Sequence, residues 1–218
     1  MCGDMTDAEA AAFILANTVP GRAALVPEFV LRLATEITPI WLATEATLQA
    51  HNIAPPYWAF AWPGSQVLAR WLLDRPGLAR GRRVLDFAAG GGLAALAAAH
   101  AGAAHVEAAD IDPLALAATR LNAAANQQTV HTLAGDVVGQ PCRWDLILCG
   151  DVCYEAPMTR HILPWLRSMA AAGGQVWIAD PGRAYVPQDM HPIARYAVPT
   201  TMELESRTER DTTLYRLG

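Results

Sequence analysis

The chain has no lysine: all 16 basic residues among its 218 are arginine, whereas alanine occurs 43 times. That absence excludes Schiff-base chemistry on a lysine, a phosphate-binding loop ending in Gly-Lys, and a lysine general base. A GC-rich coding sequence accounts for both biases. Charge is scarce as well, with 17% Asp, Glu, Lys and Arg and a net charge of −5. Such a chain lacks the positive face that grips a phosphate backbone, which argues against nucleic acid as a partner. Long apolar runs are missing too, because Asp, Arg, His or Gly interrupts each alanine-rich stretch before it reaches the roughly 18 residues of a membrane helix. With no basic segment before an apolar core in Met1–Asp7, a soluble, cytoplasmic protein with no membrane partner is expected. Cys2, Cys142, Cys149 and Cys153 form no CxxC pair and share no ligand spacing with histidine. Reduced thiols and no metal are expected.

What is present is a 53% hydrophobic composition, enough to bury the core of one domain. Asp7–Asn17 and Val26–Glu36 carry apolar residues at helical spacing, the second through Phe29, Val30, Leu33 and Ile37. Both read as helices of a cover spanning residues 1–57, ahead of a globular domain at 58–218. Ser65–Asp74 places Val67, Leu68, Trp71 and Leu72 on one helix face. Beyond Arg82 the pattern predicts strands at Val84–Phe87, His105–Asp110, Thr129–Leu133, Trp144–Cys149 and Gln175–Ala179. Between them, helices are predicted at Leu93–Ala101, from an Asp112 cap and Pro113 to about Asn126, and at Met158–Ala172. Ala197–Ser206 and Thr212–Leu217 read as an antiparallel pair across the polar turn Arg207–Asp211. The expected fold is a doubly wound α/β domain with a mostly parallel, seven-stranded Rossmann-like sheet, an antiparallel C-terminal edge and a helical N-terminal cover.

In such a sheet the ligand lies at the carboxyl ends of the strands. Strand one ends in Asp86-Phe87-Ala88-Ala89-Gly90-Gly91-Gly92, where glycines let backbone approach a ligand. A dinucleotide would press its pyrophosphate on this turn, and a carboxylate at Asp86 would repel it. S-adenosylmethionine carries an ammonium and a sulfonium instead, so Asp86 favours it. Asp110 ends strand two and suits ribose hydroxyls. Asp136, in Gly135-Asp136-Val137, stands where an adenine amino group could be read. Asp112 is assigned to helix capping.

Val84–Gly92 and Ala109-Asp110-Ile111-Asp112-Pro113 resemble motif I and the following motif of class I, seven-β-strand methyltransferases. Pro56–Gly64 with its Trp-Pro-Gly, Gly150-Asp151-Val152-Cys153-Tyr154-Glu155 and Asp180-Pro181-Gly182-Arg183 narrow this. Together they resemble the protein-lysine methyltransferases of the electron-transfer flavoprotein β subunit, over most of the chain from about Pro27. The resemblance implies S-adenosylmethionine held by Trp62, Gly64, Asp86, Ala88, Gly90, Gly92, Asp110, Ile111, Asp136 and Val137, with no metal. It further implies catalysis by Asp151 and Tyr154 and a protein substrate, the electron-transfer flavoprotein β subunit. Because a protein-modifying site needs an open mouth and the sequence shows no dimer stripe, a monomer is expected. Ala88 replaces the glycine commonest in motif I, and its methyl group requires that this residue avoid positive φ. A carboxylate raises a lysine pKa, so Asp151 is expected to orient the amine as a hydrogen-bond acceptor rather than to act as a strong base. Trp58 reads equally as core or cofactor mouth, and Arg183 as a partner for an acidic substrate patch or a tie for its own loop. Methylation of another protein or a small amine, an NAD-dependent oxidoreductase disfavoured by Asp86, and a non-catalytic binding module are the alternatives.

Overall fold

The computed structural model describes residues 5–35 and 55–218. Its centre is a seven-stranded sheet of β3 (Arg83–Phe87), β4 (His105–Asp110), β5 (His131–Ala134), β6 (Leu146–Gly150), β7 (Gln175–Asp180), β8 (His191–Pro199) and β9 (Glu209–Leu217). The order across the sheet is β5-β4-β3-β6-β7-β9-β8. The five strands from β5 to β7 run parallel, and β9 lies antiparallel between β7 and β8. β3 therefore separates β4 from β6 at the point where the strand order reverses, and the crevice above its carboxyl end is the expected ligand position.

Central strands of such a sheet are buried on both faces, so they read as unbroken apolar runs. Val84, Leu146 and Leu148 point to one face, where they pack with Val67, Leu68 and Leu72 of α2 (Pro63–Asp74) and with α3 (Leu93–His100). Leu85, Ile147 and Ile178 point to the other, against Ile162, Trp165 and Leu166 of α5 (Ala156–Ala171). The alanine bias has a use here: Ala94, Ala95, Ala97 and Ala98 are almost completely buried, and their small side chains let α3 lie close to the sheet and to α2. α4 (Pro113–Ala125) starts as expected, with Asp112 Oδ1 accepting the Leu114 N–H at 2.8 Å and Pro113 in the first turn.

The N-terminal cover is only partly helical. α1 (Asp7–Asn17) is closed by a capping box between Thr6 and Glu9, and its Ile14 packs with Trp58 and with Leu114 and Ala118 of α4. The second expected helix is instead a short hairpin, β1 (Val19–Gly21) against β2 (Leu31–Leu33); Glu36 and Ile37, at that helix's expected end, lie outside the described residues. The cause is tertiary. Asn126 of α4's C-terminal cap and Asn122 one turn earlier present their amides to an extended chain: Asn126 Oδ1 accepts the Val30 N–H at 2.8 Å, and Asn122 Oδ1 accepts the Arg32 N–H at 2.7 Å. Two side-chain amides thus act as a strand edge and override the local helical spacing. Phe29 and Leu31 join the core beside α3.

The C-terminal edge also departs from expectation in detail. β8 begins at His191 and ends at Pro199, and Met202–Glu205 form a one-turn helix, α6. Thr201 Oγ1 caps it by accepting the Leu204 N–H at 3.2 Å, and Ser206 ends it with a φ of 54°.

Candidate active site

The turn after β3 forms the floor. Gly92 precedes α3 with a φ of 75° and no side chain to cap it. Asp86, from the strand, supplies the cap: its Oδ2 accepts the Ala95 N–H at 2.8 Å. Asp86 is therefore buried beneath the turn and does not line the cavity, and burial, with Asp110 nearby, pushes its carboxyl up to about 8. Expected to face the cofactor's ammonium, it instead shapes the turn. Gly92 likewise lies behind the wall, where an added Cβ would sit 2.7 Å from Thr119 Cγ2. Ala88 contradicts the expectation of negative φ, adopting 54°, a conformation costing about 1–2 kcal/mol for a residue with a Cβ. The chain must turn sharply here so that the Ala89 N–H reaches Ala109 O at 3.1 Å and the Gly90 N–H reaches Asp110 Oδ2 at 2.9 Å.

Above this floor lies a cavity of about 640 Å³. Of the residues singled out from the sequence, Trp62, Ala88, Gly90, Asp110, Ile111, Asp136, Val137, Asp151 and Tyr154 line it. Asp110 also accepts the Asp112 N–H at 3.0 Å through its other oxygen. Ile111 is 75% exposed at the rim. Asp136 Oδ1 accepts the Val138 N–H at 2.8 Å, and Oδ2 lies 2.6 Å from His161 Nε2. Partial burial pushes the Asp136 carboxyl up, but the His161 and Val138 hydrogen bonds outweigh it and hold the group below its ordinary value. His161 fits no sequence motif. Its place in the wall follows only from the phase of α5.

Asp151 sits just past the end of β6, in the left-handed region with a φ of 57°, which Asp tolerates better than most residues. Its N–H donates to Ala179 O on β7 at 2.9 Å. Its Oδ2 accepts the Gly64 N–H at the start of α2 at 2.7 Å, and its Oδ1 faces Arg183 Nη2 at 3.1 Å. Gly64 thus reaches the site through Asp151, not as a cavity wall. Burial pushes the Asp151 carboxyl up to about 7, with Arg183 pulling it down and Asp180 adding to the rise. Arg183 Nη2 also donates to Glu205 Oε1 at 2.9 Å. Beside this carboxylate stands an aromatic wall. Tyr154 lies 5.6 Å from Tyr57, and Trp62 lies 5.8 Å from Tyr57 and 5.8 Å from the Arg183 guanidinium. Burial, Tyr57 and nearby carboxylates push the Tyr154 hydroxyl up to about 12, so it stays a neutral donor. Trp58 is both core and wall: it is 2% exposed and lines the cavity, and its buried indole N–H has no partner among the described residues.

Asp110, Asp112, Asp136, Asp151 and Glu155 line the cavity against one arginine and one histidine among the described residues. Such a surface favours a cation and opposes a pyrophosphate. That discrimination rests on these five carboxyls, not on the buried Asp86.

Residues 68–175 match the family model of ribosomal protein L11 methyltransferase (PrmA). Over a longer span, the chain is 38% identical to the electron transfer flavoprotein beta subunit lysine methyltransferase of Xenopus laevis, covering 93% of this chain and 85% of that protein. The Homo sapiens protein of the same name is 35% identical, over 90% of this chain and 77% of its own length. The chain belongs to the electron transfer flavoprotein beta subunit lysine methyltransferase family. A match over 93% of the chain necessarily includes Arg183, which the ribosomal family model does not reach. Among solved structures, magnesium protoporphyrin IX methyltransferase from Synechocystis PCC 6803, with bound SAM, aligns with a TM-score of 0.53 at 18% identity, over 71% of this chain and 78% of that one. That likeness shows the methyltransferase fold. Among the described residues no helix is long and apolar enough to cross a membrane.

Proposed function

We propose that this chain is a protein-lysine N-methyltransferase that uses S-adenosylmethionine and modifies the β subunit of electron-transfer flavoprotein, acting as a cytoplasmic monomer. The observation that carries this reading is the Asp151 carboxylate, buried at the end of β6 in an anionic cavity beside an aromatic wall. Family membership supports the choice of acceptor.

The residues present fit the cofactor. Five carboxyls line the cavity and complement an ammonium and a sulfonium. Gly91 brings the turn so near Trp58 that a Cβ would lie 3.0 Å from the Trp58 carbonyl. Asp110 would hold the ribose hydroxyls, Asp136 and Val137 would read the adenine, and Ile111 would cover its face. When bound, S-adenosylmethionine supplies an electrophilic methyl group on a positively charged sulfur.

The chain's own part is to hold the acceptor amine. A lysine amine attacks only when neutral, and its ordinary pKa is about 10.4. Asp151, held at about 7, stays too acidic to strip that proton to completion. Its role is to accept a hydrogen bond from the amine and fix the direction of its lone pair, while partial desolvation between Tyr57, Trp62 and Tyr154 lowers the amine's pKa. The same ring faces favour the methylated ammonium product. Transfer of radiolabelled methyl from S-adenosylmethionine to purified electron-transfer flavoprotein tests the proposal. Incorporation into the β subunit that disappears with Asp151→Ala supports it; incorporation at the parental rate in that variant removes Asp151 from the chemistry.

A further inference from the structure

Arg183, in the turn after β7, is bound unevenly. Its Nη2 serves two carboxylates, Glu205 Oε1 at 2.9 Å and Asp151 Oδ1 at 3.1 Å, while its buried Nε has no partner among the described residues. A guanidinium committed to one carboxylate would present a two-bonded fork. Here one nitrogen is shared, and the shorter contact is to Glu205. Glu205 is itself fixed: its side chain is 2% exposed, its Oε2 accepts from Arg210 Nε at 2.9 Å, and Arg210 Nη2 pairs with the same oxygen at 2.9 Å.

The local charges do not cancel. Asp151, Asp180 and Glu205 stand against Arg183 and Arg210, leaving one anion in excess. Cys153 and Tyr154, both pushed up to about 12, stay neutral, and Glu155 acts on Tyr57 and Tyr154 at the mouth. Buried excess charge is costly unless a proton or a cation balances it. We infer that Arg183 is the counter-ion occupying the cation seat of Asp151 in the free protein, that the Glu205–Arg210 pair sets how firmly it sits there, and that an acceptor ammonium enters by exchange. Arg183 leaves Asp151 without losing its stronger partner, and the arriving charge restores neutrality. Arg183 is thus a positioning residue that acts through Asp151, and this inference rests on the reading of Asp151 as the acceptor's carboxylate.

Two substitutions separate this role from a merely structural one because they move Asp151 in opposite directions. The titration of its side-chain carboxyl is followed by 13C NMR in the full-length protein, with Asp151→Asn assigning the signal and thermal unfolding confirming that each variant folds. Arg183→Gln removes the opposing charge and raises the midpoint by about one to three pH units. Glu205→Gln lets Arg183 close on Asp151 and lowers it. If Glu205→Gln fails to fold, Glu205→Asp replaces it: the shorter side chain draws back from Arg183 without changing the charge, Arg183 closes on Asp151, and the midpoint again falls. The acid limb of kcat/KM on the electron-transfer flavoprotein β subunit moves with each midpoint. Midpoints that stay put, or that shift the same way in Arg183→Gln and Glu205→Gln, overturn the counter-ion assignment. Midpoints that shift as expected while the acid limb stays fixed overturn the placement of the acceptor at Asp151, and the exchange with it.

Discussion

Gly64→Ala probes how the site is held together, because the glycine sits where α2, β6 and β7 meet. An added Cβ would lie 2.3 Å from Ala179 O, 2.6 Å from Asp151 Oδ2 and 2.7 Å from Asp151 N. None of these atoms is the free end of a flexible side chain: Ala179 O and Asp151 N are bonded to each other, and Asp151 Oδ2 is tied to Gly64 itself. The start of α2 must therefore retreat, losing a buried hydrogen bond to a charged group, worth about 1.5–3 kcal/mol. Misfit of the displaced helix adds about 1–3 kcal/mol, and alanine's better helix propensity returns at most about 1 kcal/mol. The net loss is about 2–5 kcal/mol, or a Tm lower by about 4–20 °C in a protein of this size. Urea and thermal unfolding measure it, with Gly77→Ala as control, since nothing lies within 4 Å of a Cβ there. A Gly64→Ala protein within about 1 kcal/mol of the parent would refute the packing described for the site.

Asp151→Ala should reduce methyl transfer at least about 100-fold, the scale of a misplaced reactant, while calorimetry shows S-adenosylmethionine binding close to the parent's; loss of both would assign Asp151 to the cofactor instead. The Asp86 carboxyl is held at about 8, so the folded state binds its proton more tightly than the unfolded chain does. That stabilisation is full below about pH 4 and is lost as pH rises through about 8. Urea unfolding should therefore show less stability at pH 8 than at pH 5 and a flatter slope in Asp86→Asn; an unchanged slope would contradict the buried setting of Asp86. Gly92→Ala combines a φ of 75° with a Cβ 2.7 Å from Thr119 and should unfold at lower urea than the parent; an unchanged midpoint would count against that close approach. Ala88→Gly relieves about 1–2 kcal/mol of left-handed strain against about 0.5–1 kcal/mol of added chain entropy, and should leave stability equal or slightly higher. A clear loss would show that the methyl's packing outweighs the strain.

The parallel sheet was legible because its strands are short apolar runs ended by Gly or Asp and separated by alanine-rich helices, and His105–Asp110 matches β4 residue for residue. Val26–Glu36 misled because its helical spacing is real, yet Asn122 and Asn126, far along the chain, capture its backbone. Local periodicity carries no trace of such a contact. In the site, Asp110, Asp136 and Asp151 could be read from their places at strand ends. Asp86 shares that position, but its side chain turns inward to cap α3, a direction set by strand pleat and burial rather than by spacing. His161 and Glu205 sit on helices whose phase brings them to the cavity wall and to Arg183; neither belongs to a motif, so only the folded chain reveals them.

The central claim is methyl transfer to lysine at Asp151, and the lysine-free composition makes it unusually open to a direct check. Any methyl-lysine in a purified reaction must come from the acceptor. The deciding measurement is mass spectrometry of the electron-transfer flavoprotein β subunit after incubation with the protein and S-adenosylmethionine, with peptides mapped to locate the modification. Mass increments of whole methyl groups on β-subunit lysines, absent with Asp151→Ala, are the predicted result. An unmodified β subunit, in a reaction where another protein or a small amine present gains the methyl, would contradict the account.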